Sequence, residues 1–133
     1  MLRACVGILS AIASVHGLPA MAGADIDAPG LLINETRTFA GQEFFNAFAA
    51  VWQGYDPDGR FTLVINERPS ARTGSQLTVT YGNTVVFRRF IGFNSAQARR
   101  AGDEASGAAF GAVMAAELDR QLPDPDLRGD DLP

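Results

Sequence analysis

The chain has 133 residues, with 11 basic side chains against 15 acidic ones, a formal net charge of −4 and a sequence pI of 4.8. An acidic balance of this kind argues against generic binding to nucleic acid or to anionic membrane surfaces. Every basic residue is arginine, so Schiff-base and amine-base chemistry is closed, and a single cysteine and a single histidine leave little for thiol or imidazole chemistry.

The first residues read as a secretory address. Arg3 precedes an apolar stretch running from Ala4 to about Val15, and Ala20-Met21-Ala22 is a small-x-small cleavage site. This predicts a signal peptide over 1–22, a mature start near Gly23 and export. The apolar stretch is interrupted by Ser10, Ser14 and His16 and falls short of the roughly 20 residues that span a bilayer, and no later window comes closer. No membrane span is expected. Cys5 sits at the front of the stretch, where it is badly placed for a lipid anchor. Cleavage removes Cys5 and His16 together, so the mature chain is expected to have no disulfide, no His/Cys zinc site, no thiol nucleophile and no Ser-His pair.

The remaining residues, about 100 over 23–122, fit a single domain. Phe44, Phe48 and Val51 recur at helical spacing, with Phe45 and Trp52 one position around, and predict an amphipathic helix over 38–52. Asn34, Thr36 and Thr38 are candidate caps ahead of it, and the turn residues of 54–59 stop it by Gln53. Three strands follow. Phe61, Leu63 and Ile65 alternate with polar neighbours in the first, and Leu77, Val79 and Tyr81 do so in the second. Gly82-Asn83 is a hairpin turn into 84–91, where Val85, Phe87, Arg89 and Ile91 share one face and Val86, Arg88 and Phe90 the other. Leu31 to Ile33 is a candidate edge strand. Asn94 or Ser95 opens a short helical turn, Gly102 reads as a break, and Asp103-Glu104 start a main helix with Phe110, Met114, Leu118 and Leu122 as its apolar stripe. Pro123 ends it, and 123–133, rich in Asp and Pro, reads as a disordered acidic tail.

These faces are satisfied by an α+β fold with two helices packed on one face of a three- to four-stranded antiparallel sheet. On the other face, Val64, Val86 and Phe90 remain as a possible apolar partner surface.

The chemical candidates are few. Asp56-Pro57-Asp58-Gly59 begins like a calcium loop but lacks the later ligands and the closing glutamate, so it reads as a turn. Gly107 and Gly111, four apart among alanines, admit the close approach of another helix or of the chain's own sheet. Glu67, Arg68 and Arg72 form a charged cluster bounded by strands and held by Pro69 and Gly74. In one reading Glu67 pairs with an arginine inside a rigid connection. In the other the guanidinium groups are presented to a partner's carboxylates. A carboxylate-based hydrolase would need a second placed carboxylate or a metal, which the spacing does not supply.

The run 65–75, INERPSARTGS, resembles the signature of the CsgE family of curli assembly and transport components. The resemblance extends to Pro29-Gly30-Leu31-Leu32, Thr36, Gly41, Phe44, Phe45, Phe48, Trp52, Val85, Phe87 and Phe90, and covers roughly 29–91. Thr73 departs from it, standing where the family has an aromatic residue. The resemblance implies a periplasmic adaptor with no catalytic activity and no cofactor. It further implies a homo-oligomeric ring, nine-membered in the family, that caps the outer-membrane curli secretion channel and binds the curli amyloid subunit. A periplasmic oligomeric binding module without a secretion role is the alternative.

Overall fold

A computed structural model of the chain describes residues 29–122. The expected signal peptide, with Cys5 and His16, and the acidic segment 123–133 lie outside the described residues. The elements run β1 (Leu32–Glu35), α1 (Phe39–Tyr55), β2 (Leu63–Ser70), β3 (Gly74–Tyr81), β4 (Thr84–Ile91) and α2 (Ser95–Gln121). They form the expected α+β fold, with one four-stranded sheet in the order β1-β2-β3-β4. β2, β3 and β4 make the antiparallel meander. The candidate edge strand exists but pairs parallel to β2, Ile33 opposite Val64, because α1 carries the chain back across the sheet between them. Among the described residues no helix is long and apolar enough to cross a membrane.

α1 supplies the centre of the core. Phe44, Phe48 and Trp52 are buried in one row, with ring centroids 6.1 and 5.6 Å apart. They lie over Leu63, Ile65, Leu77 and Val79, which alternation places on the inner face of the sheet. Removing a side chain of this kind from water is worth about 1.5–3 kcal/mol.

α2 differs from expectation in two respects. It is continuous from Ser95, capped by the Asn94 side chain, and does not break at Gly102. Its buried face is Ala98, Ala101, Gly102, Ala105, Ser106, Ala109 and Val113, while Met114, Leu118 and Leu122 are exposed. The reason is close packing against α1. A Cβ at Gly102 would collide with the Phe44 carbonyl oxygen and lie 3.0 Å from Ala47 Cβ and from the Phe48 nitrogen. Ser106 reinforces the crossing by donating its hydroxyl to the Phe48 carbonyl at 2.9 Å. Small residues let two backbones approach, so the interface selects them over the larger apolar side chains a turn away. Of the glycine pair, Gly107 meets the Tyr55 hydroxyl of α1, whereas a Cβ at Gly111 would meet nothing within 4 Å.

β4 carries the second correction. Val79 pairs with Phe87 but Thr80 pairs with Val85, so Val86 is an extra residue in the ladder. This bulge turns Val86 into the core, 7% exposed, and leaves Val85 at 45%. Phe87, Arg89 and Ile91 keep the inner face, where Arg89 reaches Glu104 of α2 at 2.6 Å.

Candidate functional site

The 65–75 run is not a connection between strands. Pairing continues to Ser70 opposite Gly74, so the run is the tip of the β2-β3 hairpin closed by a turn over 71–73. Gly74 takes a φ of 104°, the region that suits a residue without a Cβ. Alternation then sends successive residues to opposite faces. Glu67 follows Leu63 and Ile65 to the inside, and Arg68 points to the open face.

Glu67 is 3% exposed. Its carboxylate accepts the backbone N–H of Arg37 at 2.6 Å, the backbone N–H of Thr38 at 2.8 Å and the Thr38 hydroxyl at 2.5 Å. Thr38 in turn is the N-cap of α1, accepting the Gly41 amide at 3.0 Å. The anion thus sits at the positive end of the α1 dipole and satisfies donors that a helix start leaves open. Burial alone would push the Glu67 carboxyl up. Hydrogen bonds from the Ser75 and Thr38 hydroxyls and from the Arg37 and Thr38 amides outweigh it and hold the group below its ordinary value. A Cβ at Gly41 would run into this carboxylate. Three residues of the family-like pattern, Gly41, Glu67 and Ser75, are therefore bound up in one buried junction, while Gly74 closes the hairpin against the Ile91 carbonyl of β4.

The expectation of a presented Glu67-Arg68-Arg72 cluster is corrected accordingly. Glu67 faces the core and pairs with a helix start, not with an arginine. Arg68 and Arg72 are exposed, and neither makes an ion pair among the described residues. Arg68 lies opposite Gln76, which lies opposite Phe90, so it shares the open face with that ring, which is 52% exposed. A row of Ile33, Val64, Thr80 and Val85 crosses the same face further along the strands, with the polar row Glu35, Asn66, Thr78 and Arg88 lying between. The open face therefore holds Arg68 and Phe90 in one row and Val64 in another, with Arg72 in the hairpin turn beyond them. Val86 is not part of it. Val85, which the alternation placed inside, takes that position.

Asp56 is likewise structural. It is 5% exposed, and its two carboxylate oxygens accept the Arg60 and Phe61 amides at 2.8 and 2.9 Å. Its own amide closes α1 on the Trp52 carbonyl. The segment is a helix-ending turn whose acid is already engaged. Among the described residues no three His, Cys, Asp or Glu side chains gather in a way that could hold a metal.

What these features define is an α+β module with a hairpin clamped onto a helix start and an open, arginine-edged sheet face. The profile of the family described as "Curli assembly protein CsgE" matches residues 28–131. The chain belongs to this family. It is 40% identical over 67 residues to the curli production assembly/transport component CsgE of Escherichia coli O6:H1 and, equally, to that of Escherichia coli O157:H7. The same identity over 67 residues relates it to the protein of that name in Salmonella typhi. The matched stretch covers 50% of this chain, and the chain spans about half the length of the curated relatives it matches.

Proposed function

We propose that this protein is a periplasmic accessory of curli secretion, without catalytic activity, that caps the outer-membrane secretion channel and binds the amyloid subunit. It does so as a ring of identical copies, and Arg68 and Arg72 are the residues proposed to meet carboxylates of the channel mouth or of a neighbouring copy. The observation that carries the reading is the division of labour within the family-like motif. Glu67, Gly74 and Ser75 are used up in folding, whereas Arg68 and Arg72 are held on a rigid hairpin with their guanidinium forks free of partners among the described residues. Phe90 in the same row as Arg68, and Val64 and Val85 beyond a polar row of the same face, supply apolar contact for a disordered client. Co-purification with the outer-membrane pore from the same organism, followed by a subunit count in the complex, tests the reading. Stable pore binding supports it, and absence of pore binding with undisturbed subunit secretion in a deletion strain refutes it.

A further inference from the structure

The first turns of α2 and the end of β4 enclose a cleft of about 430 Å³ lined by Arg89, Phe90, Ile91, Gln97, Arg100 and Glu104, among others. Arg89 is engaged with Glu104, but Arg100 is exposed and makes no ion pair among the described residues. β4 is an edge strand, so its outer backbone groups border the same cleft. The cleft thus offers a guanidinium, a side-chain amide and an unpaired strand edge to an extended, acidic peptide.

The chain itself contains an acidic segment. Segment 123–131 reads Pro-Asp-Pro-Asp-Leu-Arg-Gly-Asp-Asp, four aspartates against one arginine, and lies within the stretch matched by the family profile. We propose that this acidic segment of one copy docks in the Arg100 cleft of a second copy. Geometry favours a second copy over the same one. Arg100 and Leu122 ride one unbroken helix, about 33 Å apart along its axis at ~1.5 Å per residue. From Leu122, a fully extended chain reaches only about 30 Å at Asp131 and about 14 Å at Asp126. A copy's own segment could at full stretch bring only Asp130 and Asp131 within side-chain reach of its own Arg100, and never Asp124 or Asp126, whereas a second copy's segment can lie along the cleft with all four. The contact joins two different surfaces, so it propagates from copy to copy and either closes into a ring or extends. It requires only two copies of this chain and stands separately from the curli reading.

Sedimentation velocity on the full chain tests the proposal. Arg100→Glu alone, and Asp124→Asn, Asp126→Asn, Asp130→Asn and Asp131→Asn together, are each expected to weaken self-association roughly tenfold, the scale of one lost charge-assisted contact. Adding Asp130→Arg and Asp131→Arg to Arg100→Glu is expected to restore it. Association indifferent to both sets of changes, or a chain that is monomeric throughout, overturns the proposal. A second arm is independent of how the Arg100 variant folds. A photo-crosslinker at position 127 in a mixture of light and isotope-labelled copies is expected to join one copy to the 89–104 region of another. Crosslinks confined to single copies, or landing elsewhere, overturn the proposal equally.

Discussion

The carboxylate of Glu67 on β2 accepts the Thr38 amide at 2.8 Å and the Thr38 hydroxyl at 2.5 Å, so that one buried acid ties the hairpin to the first turn of α1. A charged side chain is tolerated inside because donors already lacking intrahelical partners surround it.

Glu67→Gln removes the charge and turns one acceptor into a donor facing the α1 amides. The expected loss is about 2–3 kcal/mol, the scale of hydrogen bonds to a charged group. The pH dependence carries a definite sign. The folded-state pKa of Glu67 is depressed, so its contribution is fully present above the unfolded value near 4.3 and fades as pH falls through the folded value. Denaturant melts between about pH 7 and pH 2 should show an acid limb in the natural protein that is shallower in the variant; equal limbs would show that Glu67 is not the group responsible.

Tyr81 makes the opposite case at alkaline pH. Its hydroxyl donates to Glu117 at 2.6 Å, and this bond, aided by burial, pushes its pKa up. A raised folded pKa means that the contribution is whole below the unfolded value near 10 and is lost as pH rises through the folded one. Phenolate absorbance should show one of the two tyrosines titrating late. Glu117→Gln should bring it back toward its ordinary value, and a late titration that survives this change would assign the shift to burial.

The two helix glycines Gly102 and Gly111 should respond in opposite directions to alanine. A Cβ at Gly102 meets α1 backbone, and forcing the helices apart is expected to cost at least about 2 kcal/mol. A Cβ at Gly111 meets nothing, and Gly111→Ala should stabilise by about 0.5–1 kcal/mol through helix propensity alone. Thermal melts of both variants suffice, and a shift of the same sign in both would disprove the packing account of α2.

Replacing Arg68 and Arg72 together by alanine should leave the melt within about 0.5 kcal/mol of the natural protein, because both are exposed and unpaired among the described residues. The same variant is expected to lose pore co-purification, ring assembly or subunit secretion. Full binding with an unchanged melt would move the proposed partner surface to Val64, Val85 and Phe90.

Periodicity sufficed wherever one face of an element is paired with one bulk apolar surface. Phe44, Phe48 and Trp52 declare their helix because every fourth residue must meet the sheet, and the alternation of Leu63, Ile65, Leu77 and Val79 declares the meander for the matching reason in strands. The motif around Glu67 was readable as a unit, and the family match bears out that resemblance.

Its internal roles were not readable. Whether Glu67 meets Arg68, Arg72 or a helix start depends on which strand face it occupies and on where α1 begins, and these are set by contacts about 30 residues apart in sequence. The same holds for Val86, displaced inward by a one-residue register shift, and for α2, whose alanines and Gly102 are selected by the nearness of the α1 backbone. A sequence records which side chains are apolar, and this chain's pattern determined its elements and its layers. Only the tertiary structure decided which small or charged groups fit between those layers, because that turns on interatomic distances that no periodicity encodes.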